Sequence, residues 1–247
     1  MNTFTLKMIA VILMFIDHIG LYFEGAPLWL RCIGRGSYPL FLFCMVWGYH
    51  YTHDRKIYLL RLYLMSIFMT LFGYFMNHSF TPENGYGFHN IFLSMFLVGV
   101  LISTIEIFQR DRKRGALLLG VIFSVQLLYY VIPTWIPFVR SLSGDVITGI
   151  IPNLSLNEYG FEFVALGVAM YFLKEKKELL TVVYLLFCIS QFSAEMRETG
   201  YAVQWLMVIA LPLILRYNNQ KGPGMKYFFY IFYPAHTFLL FYLANYI

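Results

Sequence analysis

Leu6-Lys-Met-Ile-Ala-Val-Ile-Leu-Met-Phe-Ile-Asp17-His18-Ile-Gly20 is an apolar run broken by an adjacent carboxylate and imidazole. The run reads as a membrane-spanning helix. A charged side chain facing lipid at that depth costs about 2.5–3.5 kcal/mol on insertion scales, so an ionisable residue inside a span points to function. Two neighbours, one able to carry a proton near neutral pH, point to proton-transfer chemistry or a polar pathway. The segment does not read as a cleavable signal. It lacks a small-residue cleavage site, and Asp17-His18 would interrupt the apolar core of one.

The rest of the chain extends that reading. Of 247 residues, 60% are hydrophobic and only 13% are charged, against about 25% charged in ordinary soluble domains. Apolar runs recur along the whole length and leave nothing for a sizeable soluble domain. The expected fold is all-α, one polytopic transmembrane helical bundle over residues 1–247. Spans are predicted at 6–23, 37–51, 57–76, 89–108, 115–134, 158–173, 179–195, 200–216 and 226–246. With the N-terminus in the cytoplasm, 14 of the 18 Lys and Arg fall on the cytoplasmic side and only Arg31, Arg35, Arg140 and Arg197 on the other. That asymmetry obeys the positive-inside rule. It also accounts for the net charge of +5, so no nucleic-acid partner is expected. Cys32, Cys44 and Cys188 lack metal or redox spacing and read as packing residues. No metal site is expected.

Two outer segments are long. Residues 77–90 are polar, aromatic and turn-rich. Residues 135–157 hold Pro137, Gly144, Gly149 and Pro152 around the apolar stretch 146–151, too short to span alone. It reads as re-entrant or interfacial, or as half of a broken span, which would raise the count from nine to ten or eleven. The motifs Asn77-His78-Ser79 and Asn153-Leu154-Ser155 match a glycosylation pattern. A phosphate-binding loop, a zinc-binding HExxH and a nucleophile elbow are all missing.

The candidate chemistry lies in a few positions. His18 is about 16 Å of helix beyond Lys7, and His236 is about 15 Å beyond Lys226, so the two share a depth if their helices are neighbours. Pro234 frees a backbone carbonyl beside His236. Asp17 needs a cationic partner, and Arg31 or Arg35 in Arg31-Cys-Ile-Gly-Arg35 can supply it or clamp an anion. On the cytoplasmic side His53, Arg55, Lys56 and Arg61 suit a polyanion, although topology alone also places basic residues there. Arg61 lies deeper than topology requires. Arg31, Tyr233 and His89 are assigned to the acceptor side.

These blocks together resemble the TraX family, membrane proteins known for N-terminal acetylation of conjugative pilin. The resemblance rests on Phe15-Ile-Asp17-His18-Ile-Gly20, Arg31-Cys-Ile-Gly-Arg35-Gly-Ser-Tyr-Pro39-Leu-Phe-Leu-Phe43, Gly48-Tyr-His-Tyr-Thr52-His53, Tyr58-Leu-Leu-Arg61 and Lys226-Tyr-Phe-Phe-Tyr-Ile-Phe-Tyr-Pro234-Ala-His236. The middle, from about Asn90 to Gln204, matches only in hydropathy. The family is in turn similar to the broader integral membrane acyltransferases, in which an intramembrane histidine serves catalysis and the donor is cytoplasmic acetyl-CoA. That likeness implies His18 as the base, and Arg35 and Arg61 as donor-site or structural arginines. Where the broader group often has a basic pair, this chain has Arg61 alone.

The expected activity is acetyl transfer from acetyl-CoA to an amine or hydroxyl of a peptide, glycan or lipid-linked acceptor. His18, oriented by Asp17, takes the acceptor's proton, while His236, Tyr233 or Arg35 stabilises the oxyanion. A proton-coupled transporter is the first alternative, because it also places Asp, His and Arg at the midplane. A non-enzymatic assembly partner for a secreted fibre is the second.

Overall fold

The computed structural model describes residues 1–80, 85–140, 142 and 144–247. Residues 81–84 of the first outer segment, and 141 and 143 of the second, lie outside the described residues. Among the described residues every regular element is helical: α1 (Thr3–Tyr22), α2 (Leu28–Gly34), α3 (Ser37–Tyr51), α4 (Arg55–Ser79), α5 (Ile91–Arg110), α6 (Arg112–Trp135), α7 (Pro137–Arg140), α8 (Gly144–Ile150), α9 (Gly160–Leu173), α10 (Lys177–Thr199), a 3₁₀ segment (Gln204–Ala210), α11 (Leu211–Leu215) and α12 (Lys226–Tyr246). Six of these, α1, α4, α5, α6, α10 and α12, are long and apolar enough to cross a membrane.

Each of the nine predicted spans contains helix, but three fall short. The α3 helix has 15 residues and α9 has 14, or about 21–22 Å at 1.5 Å per residue, against a hydrocarbon core of about 30 Å. The third, 200–216, begins as the seven-residue 3₁₀ segment, whose rise is about 2 Å per residue.

Polar side chains at the helix starts set the boundaries. Asn2 accepts from the Thr5 N–H at 2.8 Å, Asp54 from Ile57 at 2.9 Å, and Asn90 from Leu93 at 3.2 Å. Asp111 both ends α5, donating its N–H to the Ile107 carbonyl, and starts α6, accepting from Lys113 and Arg114. Such caps satisfy N–H groups that the first helical turn leaves open. The α6 helix keeps little of itself inside: Leu117, Phe123 and Tyr130 are all exposed, the surface expected where the solvent is lipid.

The chain divides into two compact units, residues 1–48 with 172–247, and residues 49–171. In the first, α1 lies between α2 and α12. The start of α1 is strapped to the loop before α12. Thr3 N–H donates to the Gln220 carbonyl at 2.8 Å, Phe4 N–H to Lys221 at 3.2 Å, and Asn218 N–H to Met1 at 2.9 Å. The strap turns back through Gly222, whose positive φ of 68° suits glycine and where a Cβ would sit 2.8 Å from the Asn2 side chain. It fixes how far α12 slides along α1. Ser37 holds α3 to the same helix by donating to the Ala10 carbonyl at 2.8 Å.

In the second unit, the 146–151 stretch forms the seven-residue α8, far too short to cross. It packs on α4. Tyr63 donates to the Ile150 carbonyl at 2.7 Å, and Gln126 of α6 takes the Leu154 N–H at 2.7 Å. Beside it, Asn90 is fully buried and donates to Ser66 and Thr70 of α4. Gly149 makes the close contact possible, since a Cβ there would lie 1.9 Å from Thr70 Oγ1. Gly149→Ala is therefore expected to cost about 1–3 kcal/mol through overpacking, seen as a lowered thermal unfolding midpoint of the detergent-solubilised protein.

Candidate functional site

Asp17 and His18 are adjacent on α1, and adjacent helical residues point about 100° apart. The structure uses that divergence. Asp17 is directed toward α2. Its Oδ2 accepts from Arg31 Nη1 at 2.5 Å and its Oδ1 from Arg35 Nη2 at 2.6 Å. Both arginines predicted as alternatives engage it at once. Arg31 also donates to the Asp17 carbonyl at 3.2 Å. The close approach depends on glycines. A Cβ at Gly34 would lie 2.2 Å from Asp17 Cβ, and one at Gly20 would lie 3.0 Å from Leu30 Cβ.

His18 is directed toward α12 and is 7% exposed. Its Nδ1 lies 2.9 Å from the Met14 carbonyl and 3.0 Å from His236 Nε2. His236, 3% exposed, has its own Nδ1 2.8 Å from the Phe232 carbonyl. A carbonyl only accepts, so each Nδ1 carries a proton. His236 Nε2 then presents a lone pair to the shared Nδ1–H of His18. The remaining lone pair of the His18 ring is on Nε2, which makes that atom its base. If it takes up a proton, the Nδ1–H contact to His236 is unchanged. The Phe232 ring stacks on His236 at 4.7 Å, and Tyr233, 2% exposed, lies 5.8 Å from it between ring centroids.

The orienting role expected of Asp17 is thus divided. Met14 and His236 hold the His18 ring, while the Asp17 carboxylate gathers two guanidinium groups. One carboxylate between two arginines leaves an excess positive charge where an anion or a developing oxyanion is stabilised. Arg35 reaches further and donates from Nη1 to Gln204 Oε1 at 3.0 Å. Glu195 of α10 in turn accepts the Val203 and Gln204 backbone N–H groups, both at 2.7 Å, and so anchors the 3₁₀ segment. Arg35→Met strands Asp17 Oδ1 and Gln204 together. A half-buried charged acceptor left without its donor costs about 1–3 kcal/mol, so a clear fall in thermal midpoint is expected, larger than that of Gln204→Leu.

A family model described as TraX protein matches residues 3–244. The chain belongs to the TraX family. It is 28% identical over 255 residues to the probable fimbrial assembly protein FimC, serogroup H1, of Dichelobacter nodosus, covering 97% of this chain and 94% of that protein. It is 38% identical over 52 residues to protein TraX of Escherichia coli, a match covering 21% of this chain and 20% of that protein. No solved structure matches it.

In this TraX family member, Asp17, His18, Arg31, Arg35, Tyr233 and His236 belong to the first unit; Asp17, Arg31 and Arg35 form one hydrogen-bonded cluster with Gln204, and His18, His236 and Tyr233 form a second group. Gln204 was missed from the sequence, although a lone amide at the head of the apolar run 205–215 was a signal. The other predicted residues belong to the second unit. His53, Lys56 and Arg61 are exposed there. Arg55 is committed internally: it is paired with Glu106, donates to Tyr171 Oη at 3.1 Å and lies 4.8 Å over the Tyr49 ring. Tyr171 also donates to Glu106 at 2.6 Å. Glu106, an isolated carboxylate in an apolar span, also escaped the sequence reading. His89 is buried and its Nε2 lies 2.9 Å from the Tyr86 carbonyl.

Proposed function

We propose that this TraX family member is a membrane-embedded acetyltransferase, its N-terminus cytoplasmic, that uses acetyl-CoA to acetylate an amine or hydroxyl of an extracytoplasmic acceptor. The observation that carries this reading is the His18–His236 pair, two buried imidazoles whose ring nitrogens meet at 3.0 Å inside an apolar bundle. A thioester already has a good leaving group, so direct transfer needs no covalent enzyme intermediate. The acceptor nitrogen or oxygen bonds to the acetyl carbon as the carbon–sulfur bond breaks. His18 Nε2 takes the acceptor's proton, which then passes to the departing thiolate. Arg35 and Tyr233 stabilise the charge that develops on the carbonyl oxygen. In the second unit, taken by itself, His53, Lys56 and Arg61 are exposed and suit a polyanion such as a diphosphate. Arg55 is the least available of the four, since its nitrogens are engaged by Glu106 and Tyr171.

The name of the Dichelobacter relative adds a direction for the acceptor: a subunit of a surface fibre. The test is incubation of purified protein with acetyl-labelled acetyl-CoA, followed by mass analysis of surface-fibre subunits from cells with and without the gene. A mass gain of one acetyl group that requires the protein supports the proposal. Unchanged subunit masses together with no release of free coenzyme A overturn it.

A further inference from the structure

Asp111 alone connects α5 to α6, two helices long and apolar enough to cross a membrane. A one-residue turn between crossing helices lies at the level of the lipid headgroups, where its backbone and charges leave the hydrocarbon. The start of α4 belongs to the same end of the second unit, because Arg55 is paired with Glu106, one turn before the end of α5. We propose that this end binds the phosphate of an anionic phospholipid.

The argument is an inventory of charge. The carboxylates at this end are Asp54, Glu106 and Asp111, and each is committed. Asp54 accepts the Ile57 N–H at 2.9 Å, Glu106 is held by Arg55 and Tyr171, and Asp111 caps α6 and pairs with Arg114 at 3.2 Å. Among the described residues, the side chains of Lys56, Arg61, Arg110, Arg112 and Lys113 make no hydrogen bond or ion pair, and all five are exposed. Topology alone accounts for basic residues at a membrane surface, but not for where these stand. Arg112, Lys113 and Arg114 fill the first turn of α6. That is the positive end of the helix dipole, where cations are disfavoured and an anion is stabilised. The fold gains nothing from them there, whereas a phosphate is attracted by the side chains and the dipole together.

What continues from Lys113 makes the occupant a lipid and not a soluble anion. Helical spacing puts Lys113 on one face of α6 with Ala116, Leu117, Ser124 and Leu127, and all of these are exposed. Of the six long apolar helices, α6 keeps the smallest share of itself inside. From Lys113 to Leu127 that face runs about 21 Å, more than the roughly 15 Å of hydrocarbon in one leaflet. A phosphate held at Lys113 therefore lays its acyl chain along an apolar surface of sufficient length.

The proposal does not rest on acetyl transfer, and its test contains no acyl donor. The full-length protein, freed of lipid in a non-ionic detergent, is titrated with phosphatidylglycerol, with phosphatidylcholine of the same acyl chains, and with glycerol phosphate. Native mass spectrometry counts the bound molecules, and the thermal midpoint is followed in parallel. Phosphatidylglycerol is expected to bind tenfold or more tightly than phosphatidylcholine and to raise the midpoint. The double variant Arg112→Gln with Lys113→Gln is expected to lose most of that preference. Its midpoint without lipid stays at or above wild type, because two cations leave the positive end of a helix dipole. Lys56→Gln with Arg110→Gln, on α4 and α5, is the second variant and lowers the same preference. Equal binding of the two lipids, or an unchanged preference in the Arg112 and Lys113 variant, overturns the proposal. Glycerol phosphate binding as tightly as phosphatidylglycerol also overturns it, because the acyl chain then contributes nothing.

Discussion

His18→Ala is expected to reduce acetyl transfer by about 10²–10⁴-fold, the span associated with removal of a positioned general base. The loss falls on turnover. The Michaelis constant for acetyl-CoA is expected to stay close to wild type, because the role proposed for His18 is on the acceptor's proton. Insertion and folding are expected to survive, since the ring's hydrogen bonds go to one carbonyl of its own helix and to a single partner. In the proposed reaction His236 holds the base and does not act as one, so His236→Ala should lose less than His18→Ala. His236→Gln, which keeps an acceptor for the His18 Nδ1–H, should recover part of that loss. The measurement is initial-rate kinetics on membranes matched for protein content. Wild-type turnover in His18→Ala refutes the role of this imidazole, and equal activity of His236→Ala and His236→Gln refutes the orienting role.

The second large effect is on the fold around Asp17. Gly34→Ala places a Cβ 2.2 Å from Asp17 Cβ and 2.7 Å from its Cα. A flexible side chain can swing away from such a clash, but the Cα of a packed helix cannot. The α2 helix has to lift off α1, which separates Asp17 from Arg31 and Arg35 as it does so. Overpacking alone costs about 1–3 kcal/mol, occasionally more, and the loosened ion pairs add to it. A large drop in unfolding midpoint and loss of activity are expected together. Gly120→Ala is the matched control. Nothing lies within 4 Å of a Cβ at that exposed helical position, so it should be neutral or gain up to about 1 kcal/mol from helix propensity. Similar midpoints for the two variants contradict the tight crossing of α1 and α2.

Much of this was legible in the chain. Apolar runs gave the helices, because in lipid only internally hydrogen-bonded segments satisfy the backbone. The isolated Asp17 demanded a cation, and only Arg31 and Arg35 lay near it on the same side. His236 was placed at a matching depth from helix rise alone. What stayed hidden depends on direction and on backbone atoms. Periodicity states that residues 17 and 18 share a helix, but the structure assigns each to a different neighbour. The Met14 and Phe232 carbonyls that set the tautomers carry no side-chain signature. Gly34 is an ordinary glycine until α2 is laid against Asp17. The short 3₁₀ segment resembled a full span because hydropathy does not distinguish 3.0 from 3.6 residues per turn.

The two imidazoles are 218 positions apart, whereas Asp17 meets its arginines within 18. In chain order the partners of the carboxylate are present once α2 has been made, before the rest of the bundle. The Nδ1–H of His18 gains His236 as a partner only when α12 is made. A nascent chain halted in between would hold Asp17 beside its arginines yet lack the paired imidazoles, so that pairing would arrive as one of the last events of biogenesis.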